Sequence, residues 1–485
     1  MSNLSDLEPK ALWRIFGEMT QIPRPSKNEE KIREWAVNYG ERLGFETIKD
    51  EVGNVIIRKP ATEGMEDRKK VVLQGHLDMV PQKNSSTQHD FDKDPIHAYI
   101  DGDWVKAKGT TLGADNGMGV AAALAVLESE DLPHPELEVL LTADEETGMT
   151  GANGLKPGLL KGDILINMDS EDEGELYIGC AGGVNTNAKF PYETVEVPAN
   201  MAPYKISVTG LKGGHSGLDI NYGRGNANKI INKLMMETAR EFGLRLSEIE
   251  GGSLRNAIPR EAFASVVVPE SKKDAFKQHV EVFEREIKVA FEKADPGLMI
   301  DVKTTKMPRN LIDKKTQNNL FKAVDECPNG VIAMDEKMPD VVETSTNLAV
   351  VKSSGKEIEI ATLQRSAVDD KKTELSQEIY DIFKKYGGEP VQSGDYPGWK
   401  PNPDSEILRE MKEVYNKLYG KVPEVKVIHA GLECGILGAK YPNWDMISFG
   451  PTIRNPHSPD EMVNIETVQM FWDYLVNTLK HIPKA

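Results

Sequence analysis

The segment VVLQGHLDMVPQK, residues 71–83, places a histidine two positions before an aspartate, directly after a run of apolar residues. Such a pair can be a metal ligand with the carboxylate that orients its ring, or an ordinary polar pair at a strand end. The same His-x-acid pattern occurs three times, at His76–Asp78, His134–Glu136 and His279–Glu281, and the composition leads us to expect about one by chance. The pattern alone therefore does not identify a metal site.

Other groups able to bind a metal also follow apolar or glycine-rich segments. They are Asp115 in TTLGADNGMG, Glu145 and Glu146 after LEVLLTAD, Asp169 after GDILINM, and His457 in FGPTIRNPHSPDE. Two histidines with three carboxylates suit a pair of divalent ions, and imidazole favours zinc. Two ions about 3.5–4 Å apart need a bridging carboxylate. Asp115 is the candidate, because its flanking glycines let the backbone approach both ions closely.

The remaining carboxylates have roles beside the ions. Asp78 is the candidate to accept the free N–H of His76 and so to fix its tautomer. Of Glu145 and Glu146, one can bind metal while the other acts as a general base toward the attacking water, and the residues themselves do not say which.

Each group also has a structural interpretation when taken singly. His76 and His457 could be strand-end or loop histidines, the glutamate pair a solvated turn, and Asp169 a helix N-cap. The glycines of GADNGMG match neither G-x-G-x-x-G nor a Walker loop, which argues against a phosphate site. The recurrence of these groups at successive strand ends favours a dinuclear metal site.

The elements that must position these groups alternate between apolar, β-branched runs and helical segments in the first third of the chain. This alternation predicts an α/β fold with a mostly parallel sheet, whose ligands bind beyond the carboxyl ends of the strands. This alternation of strand-like and helical segments ends at GCAGGVN and resumes after the hinge SGDYPGWKPNPDSEIL. We therefore expect a catalytic domain in two segments, 1–183 and 397–485, interrupted by an inserted α+β domain at 184–396.

Composition narrows the class of protein. A length of 485 residues favours more than one domain, and a net charge of −18 argues against nucleic-acid and membrane partners. Three widely spaced cysteines argue for a reducing compartment rather than a disulfide framework. The N-terminus lacks the apolar region of a secretory signal, and the longest apolar run, VAAALAVL, is too short to span a bilayer. Composition thus predicts a cytoplasmic protein.

Seven segments together resemble a known family. GHLDMV, GADNGMG, TADEETG, INMDSEDEG, GGHSG, NAIP and HSPDE are similar to the di-zinc exopeptidases and deacylases of the aminoacylase/carboxypeptidase-G2 group. The resemblance is closest to the aminoacyl-histidine (Xaa-His) dipeptidases, the bacterial carnosinase-like enzymes, and it covers essentially the whole chain in one order. GADNG, DEETG and HAGLECG resemble the dipeptidase branch rather than the deacylase branches. The fold that it implies is a di-zinc catalytic domain interrupted by an inserted α+β lid domain.

The resemblance also implies a role for each candidate residue. It places His76, Asp115 and Asp169 around one ion, and Asp115, Glu146 and His457 around the other. Glu145 becomes the base and Asp78 the orienting partner of His76. The implied cofactors are two Zn²⁺ ions per subunit, with Co²⁺ or Mn²⁺ as substitutes. None of these positions departs from the family pattern.

The inserted domain contributes residues that the resemblance assigns to the substrate. His215 in LKGGHSG is implied to stabilise the oxyanion, often across a dimer interface, which predicts a homodimer formed through the lid. Asn256 in RNAIP and Arg365 in LQRSA resemble substrate contacts, and a guanidinium suits a C-terminal carboxylate. Gly431 and Glu433 in HAGLECG are the candidates to line the subsite for the substrate's amino end.

These observations predict a di-zinc dipeptidase that hydrolyses short peptides, preferentially Xaa-His dipeptides including the β-Ala-His type, with water activated by Glu145. One alternative is another hydrolase on the same scaffold, an N-acyl amino-acid deacylase or an aminotripeptidase. A second is a non-catalytic metal-stabilised binding protein, against which Glu145 and His215 argue. A third is a nucleotide-dependent enzyme, for which a glycine fingerprint is missing.

Overall fold

The computed structural model describes residues 4–485. Residues 1–3, at the start of the predicted catalytic domain and of the N-terminal segment inspected for a secretory signal, lie outside the described residues. The α-helices are α1 (Lys10–Thr20), α2 (Glu30–Arg42), α3 (Ala114–Glu128), α4 (Glu145–Gly148), α5 (Thr150–Gly154), α6 (Ala227–Phe242), α7 (Lys273–Ala290), α8 (Lys314–Glu326), α9 (Asp369–Lys385), α10 (Glu406–Tyr419), α11 (Glu433–Lys440) and α12 (Ile465–Lys480). None of the helices within residues 4–485 has the length and apolar character needed to cross a membrane.

The β-strands are β1 (Glu46–Lys49), β2 (Val55–Lys59), β3 (Val71–His76), β4 (Ala98–Asp101), β5 (Trp104–Ala107), β6 (Leu137–Thr142), β7 (Ile164–Asn167), β8 (Glu175–Cys180), β9 (Gly182–Pro191), β10 (Thr194–Glu196), β11 (Met201–Thr209), β12 (Gly214–His215), β13 (Arg245–Gly251), β14 (Ala257–Ile258), β15 (Ala262–Pro269), β16 (Met299–Thr304), β17 (Asn310–Ile312), β18 (Gly330–Met334), β19 (Val342–Ser354), β20 (Glu357–Ser366), β21 (Glu389–Tyr396), β22 (Glu424–Ile428), β23 (Asp445–Ser448), β24 (Ile453–Arg454) and β25 (Met462–Asn464).

The chain divides into two compact units. The first unit contains the residues up to Gly179 together with Trp399–Val427 and Leu432–Ala485. The second unit contains Cys180–Gly398 and the short segment Ile428–Gly431. That short segment lies in the returning part of the chain, so Gly431 belongs to the second unit rather than to the first.

The first unit is built on an eight-stranded sheet with the order β1-β2-β6-β3-β7-β23-β8-β22. Its centre is parallel, as predicted: β3 pairs with β6 and β7, and β23 pairs with β7. The sheet becomes antiparallel outside this centre, where β1 pairs with β2, β2 with β6, and β23 with β8. The fold is therefore α/β with a mixed sheet. Every residue of β3, β6 and β7 is buried, as expected for strands covered on both faces.

Strand register determines which side chains meet at the carboxyl edge of this sheet. Residue His76 lies beside Thr142, and Gln74 lies beside Asn167. His76 and Asp169 are each two residues beyond the Gln74–Asn167 pair, so they leave the sheet at the same level. Glu145 follows Thr142 by three residues and begins the short helix α4. The parallel centre therefore gathers the predicted ligands at one edge, as the strand order requires.

The second unit has an antiparallel sheet with the order β16-β11-β15-β13-β19-β20-β9-β21, and β18 also pairs with β19. Its core is formed where helices α6, α7, α8 and α9 place apolar side chains against the sheet, among them Leu234, Phe276, Phe321 and Ile379. Strands followed by amphipathic helices, with antiparallel pairing, make this unit an α+β body.

Candidate metal centre

His76, at the end of β3, forms the first group of potential ligands. Its side chain is buried, and its Nε2 atom lies 3.0 Å from Asp115 Oδ1 and 3.2 Å from Asp169 Oδ1. The strand fixes the histidine, and the loop after β7 brings Asp169 to the same point. The three residues could hold one ion.

His457 forms the second group, from a loop before β25. Its Nε2 atom lies 3.1 Å from Asp115 Oδ2 and 3.0 Å from Glu146 Oε2. The two oxygens of Asp115 thus face different histidines, which is the arrangement that a bridging carboxylate requires. The structure therefore brings together all five residues that the sequence predicted as ligands.

The donor atoms fit divalent ions. A tetrahedral zinc ion with bonds of about 2.0–2.1 Å separates neighbouring ligand atoms by about 3.3 Å, and the histidine-to-carboxylate distances in the two groups are 3.0–3.2 Å. Within residues 4–485, Glu146 Oε1 is buried without a hydrogen-bond partner. A buried carboxylate oxygen left in this way is costly unless a cation or donor faces it.

The electrostatics of the five residues also call for cations. Burial raises the pKa of Asp169 to about 7 and raises that of Glu146 above its usual value. Hydrogen bonds to Asp115 and Glu146 raise the pKa of His457 to about 11. Burial opposes a similar increase at His76, but the carboxylates of Asp169, Asp115 and Asp78 raise its pKa well above the usual range. Several carboxylates buried at one point favour a bound cation, whose charge would lower the pKa values of the groups around it.

Asp78 is a buried carboxylate that contacts His76, Ser26 and the backbone of Glu145 and Glu146. Its Oδ1 atom lies 3.3 Å from His76 Nδ1 and accepts from the backbone N–H of Glu145 at 3.0 Å. Its Oδ2 atom accepts from Ser26 Oγ at 2.8 Å and from the N–H of Glu146 at 3.3 Å. Burial works against ionisation, yet His76 and these donors lower its pKa to about 2. His76 Nδ1 also lies 3.1 Å from the backbone carbonyl oxygen of Asp78, so Nδ1 faces Asp78 and Nε2 faces the carboxylates of Asp115 and Asp169, where a metal could bind.

Glu145 lies beside the ligands at the start of α4. A carboxylate oxygen of Glu145 is within 4.8 Å of ligand atoms of His76 and Glu146. Burial raises its pKa well above the usual value, with Asp169, Glu433 and Glu146 adding to the effect. A carboxyl group whose pKa is raised binds a proton more readily than an ordinary carboxylate, which suits a group that must accept and return one.

His215, in the second unit, has a defined tautomer. Its Nδ1 atom accepts from the backbone N–H groups of Gly217, at 3.2 Å, and Leu218, at 3.0 Å. The proton of the neutral ring is therefore on Nε2. Burial, assisted by the positive charge of Arg365, lowers the pKa of His215 to about 4. The ring is thus a neutral donor through Nε2.

Three further predicted substrate contacts, Asn256, Arg365 and Gly431, also lie in the second unit. Asn256 is exposed, and its carbonyl oxygen accepts from the N–H of Ser216 at 2.8 Å, next to His215. Arg365 is buried in β20 and donates from Nη1 to the hydroxyl of Tyr396 at 3.1 Å. Gly431 ends the short segment that joins this unit. His215, Asn256 and Arg365 therefore belong to one body.

Glu433, predicted from the sequence to line the subsite for the substrate's amino end, is a buried residue at the start of α11. Its side chain is 0% exposed. Its Oε2 atom accepts from Gln74 Nε2 and from Thr142 Oγ1, both at 2.6 Å, and burial raises its pKa to about 7. The reason is that α11 begins at Glu433 and directs this side chain toward the sheet. Glu433 is therefore a buried group hydrogen-bonded to side chains of β3 and β6, and its role in the substrate subsite stays a prediction.

Sequence reasoning missed several residues that support the ligands. Two charged residues, Arg24 and Glu461, are buried around the Asp115 loop, and Asn167 and Ser448 continue the hydrogen bonding of Gln74 across the sheet. Glu461 carried a signal, since it ends the HSPDE segment that contains His457. Arg24 carried none, because a lone arginine before a helix is usually a surface residue.

The other two His-x-acid pairs have structural settings. His134 is buried, and its Nδ1 atom lies 2.8 Å from the carbonyl oxygen of Pro135. His279, on α7, lies 3.2 Å from Glu237 on α6. Its position at the carboxyl edge of the parallel sheet therefore distinguishes His76 from the two other sequence matches.

Comparison with known proteins identifies a peptidase family and similar dipeptidases. The family described as peptidase family M20/M25/M40 matches residues 72–481. The chain is 47% identical over 483 residues to the cytosol non-specific dipeptidase of Escherichia coli (strain K12), covering 100% of both chains. It is also 47% identical to the crystal structure of an aminoacylhistidine dipeptidase from Vibrio alginolyticus, with a TM-score of 0.95 and coverage of 100% of this chain and 99% of that one.

A more distant structure shares the fold alone. An aminopeptidase from Bacillus cereus ATCC 10987 is 15% identical, with a TM-score of 0.58, and the match covers 98% of this chain and 99% of that one. The family match extends over most of the chain and includes all five clustered candidate ligands, which implies the use of a divalent metal. The chain belongs to the peptidase family M20/M25/M40.

Proposed function

We propose that this protein is a metal-dependent dipeptidase that hydrolyses short peptides, preferentially Xaa-His dipeptides including the β-Ala-His type. The observation that carries the proposal is Asp115, whose two oxygens face His76 and His457 within two separate ligand groups. Full-length similarity to a cytosol non-specific dipeptidase and to an aminoacylhistidine dipeptidase supports the substrate class.

The proposed cofactors are two Zn²⁺ ions per subunit, replaceable by Co²⁺ or Mn²⁺. His76, Asp115 and Asp169 would hold one ion, and Asp115, Glu146 and His457 the other. Mixed imidazole and carboxylate donors support zinc, and the presence of a shared carboxylate supports a pair of ions rather than one. Bound there, the ions would polarise the scissile carbonyl and make water more acidic.

The chain's own groups carry the proton transfers in this proposal. Glu145 takes the proton of the attacking water and returns it to the leaving amine. Asp78 keeps His76 in the tautomer whose Nε2 faces the ligand group, and also fixes the backbone of Glu145 through its N–H. In this proposal Glu145 changes its protonation state and Asp78 stays negatively charged. The reason is that the pKa of Glu145 is raised and that of Asp78 is lowered.

The second unit supplies the proposed substrate contacts. His215 would donate its Nε2–H to the developing oxyanion, and Arg365 would bind the C-terminal carboxylate of the peptide. Asn256 and Gly431 complete the proposed contacts. The neutral state and fixed tautomer of His215 support its role, since a charged or inverted ring would lack this directed donor.

We also propose a cytoplasmic homodimer formed through the second unit. Leu218, Tyr222 and Leu254, on the loops that carry His215 and Asn256, are 56%, 63% and 61% exposed. Large apolar groups left outside on one set of loops support a protein partner there. Sedimentation of the wild-type protein and of Leu254→Asp would test this, because the variant should shift toward the monomer.

A substrate panel tests the function. The metal-loaded protein should hydrolyse β-Ala-His and Leu-His faster than tripeptides or N-acetyl amino acids. Preferred cleavage of N-acetyl amino acids would identify a deacylase, and preferred cleavage of tripeptides would identify an aminotripeptidase. Turnover that survives removal of metal by a chelator would contradict the metal-dependent mechanism.

Glu145→Gln tests the proposed base. The amide keeps the size of the side chain but does not accept a proton, so kcat should fall by about 10²–10⁴-fold while metal binding is retained. Glu130→Gln, an exposed residue of the same unit, is the matched control. Wild-type turnover by Glu145→Gln would contradict the assignment.

A further inference from the structure

Glu461 receives an unusual set of hydrogen bonds from the loop that carries Asp115. Its Oε2 atom accepts from the backbone N–H groups of Leu112, at 2.7 Å, and Gly113, at 3.0 Å. Its Oε1 atom accepts from those of Ala114, at 2.7 Å, and Asp115, at 3.3 Å. One carboxylate, 2% exposed, therefore holds four consecutive N–H groups.

Arg24 binds the same loop through a backbone carbonyl oxygen. Its Nη2 atom donates to the carbonyl oxygen of Gly113 at 2.6 Å. Its Nη1 atom donates to the carbonyl oxygens of Leu77, at 3.0 Å, and Asp78, at 3.2 Å. Arg24 is also 2% exposed, so its charge is buried with its partners. Gly113 has a φ of +73°, and a Cβ atom there would meet the guanidinium of Arg24.

These two residues connect the three segments that contain the two histidines and the shared carboxylate. Arg24 binds the backbone directly after His76, Glu461 lies four residues after His457, and both bind the loop that ends at Asp115. From these contacts we propose that Arg24 and Glu461 form a clamp that positions the Asp115 carboxylate between the two ions. The clamp residues are positioning residues, and the proposal rests on the metal-dependent function proposed above.

The clamp differs physically from simple helix capping. Glu461 accepts from N–H groups that precede and begin α3, so its loss lowers stability in either case. A capping role, however, leaves the affinity of the folded protein for metal unchanged. A positioning role requires that a small shift of Asp115 weaken both sites, because its two oxygens contribute to different ligand groups. Support residues of this kind typically change metal affinity by about 10–100-fold.

Metal binding by folded variants tests the clamp. Glu461→Gln is matched with Asp460→Asn, which changes the exposed neighbouring carboxylate. Co²⁺ affinity is measured by competition with a chelator, and the coordination geometry by the visible absorption of Co²⁺. We expect Glu461→Gln to bind Co²⁺ about 10–100-fold more weakly with an altered spectrum, and Asp460→Asn to match the wild type. Wild-type affinity and spectrum in folded Glu461→Gln would overturn the proposal, even if its thermal stability were lower.

Arg24→Lys provides a second test that keeps the buried charge. A lysine has one ammonium group and lacks the fork that reaches Gly113 and the backbone after His76 together. We expect Co²⁺ affinity to fall by several-fold, and this variant decides the question if Glu461→Gln does not fold. Unchanged affinity would overturn the clamp alone, whereas the absence of Co²⁺ and Zn²⁺ binding in the wild-type protein would overturn the proposed function as well.

Discussion

At the scale of single residues, Asp78 shows how one buried carboxylate can serve two parts of a site. It faces the ring of His76 and also accepts from the backbone of Glu145 and Glu146. Its pKa of about 2 means that it stays negative at any working pH. Asp78 therefore couples the orientation of a proposed ligand to the position of the proposed base.

The first prediction compares Asp78→Ala with His76→Ala. Loss of Asp78 should weaken metal affinity or turnover by roughly 10–100-fold, because a group that orients a ligand is removed and the ligand itself remains. Loss of His76 should empty one metal position. Metal content after desalting, measured together with turnover, distinguishes the two cases. Equal loss of metal in both variants would mean that Asp78 is itself a ligand.

The second prediction concerns His215, whose ring is neutral with its proton on Nε2. His215→Ala should lower kcat by about 10²–10³-fold, as removal of one oxyanion donor typically does, and metal content should not change. His279→Ala, in the same unit, is the control. A large change in metal content with His215→Ala would place this residue in the metal centre instead.

At the scale of elements, Gly75 allows strand β3 and helix α3 to approach each other closely next to the proposed ligands His76 and Asp115. A Cβ atom on Gly75, next to His76, would overlap Asn116 Oδ1. Asn116 in turn donates from Nδ2 to the carbonyl oxygen of Met168 at 2.6 Å, beside Asp169. A side chain at Gly75 would therefore disturb the helix and two strand ends that carry proposed ligands.

The third prediction follows from this packing. Gly75→Ala should destabilise the protein by about 1–3 kcal/mol, the usual cost of overpacking, and should weaken metal binding. Gly17→Ala in α1 is a matched control with open space around the new methyl group, and it should stabilise the helix by about 0.5–1 kcal/mol. Thermal unfolding of both variants measures this opposite sign. Equal shifts in Tm for the two variants would contradict the prediction that the space next to Gly75 is too small for a methyl group.

At the scale of the whole molecule, an acidic chain buries several carboxyl groups in one region. Burial raises the pKa of Asp169 and of Glu433 to about 7 and that of Glu171 to about 9. Above about pH 4, the metal-free native state therefore binds more protons than the unfolded chain. The stability that these groups contribute is fully present below their unfolded pKa values and is lost as the pH rises through the folded values.

The fourth prediction is that the Tm of the metal-free protein falls as the pH rises from about 5 to about 9. His457 acts in the same direction, since its raised pKa of about 11 means that its contribution is lost as the pH rises. Asp78 has no effect in this window, because its contribution is lost only as the pH falls through about 2. Zinc should reverse the trend, since metal displaces protons and binds more tightly at higher pH.

Thermal unfolding of chelator-treated protein across this pH range, with and without Zn²⁺, measures both effects. Asp131→Asn, which changes an exposed carboxylate of the same unit, should follow the wild-type profile. A Tm of the metal-free protein that increases from pH 5 to pH 9 would contradict the prediction.

The sequence by itself determined the fold class, the family and the chemical types available to the site. Apolar strands that end in polar residues predict ligands at one edge of a parallel sheet, because this pattern depends on local chain order. His76, Asp115, Asp169 and His457 could therefore be predicted as ligands before any distance was known, whereas the choice of Glu146 over Glu145 as a ligand came from the family resemblance. The antiparallel outer strands could not be read in this way, because apolar periodicity does not encode strand direction.

Only the tertiary structure decided which groups surround these residues. The sequence predicted Glu433 as a residue that lines the subsite for the substrate's amino end, but it did not indicate that this carboxylate is buried at the start of α11 against Gln74 and Thr142. Arg24 and Glu461 lie 437 positions apart in the chain and bind the same loop. Burial and hydrogen bonding between distant segments depend on packing, and packing is a property of the folded chain rather than of any short stretch of sequence.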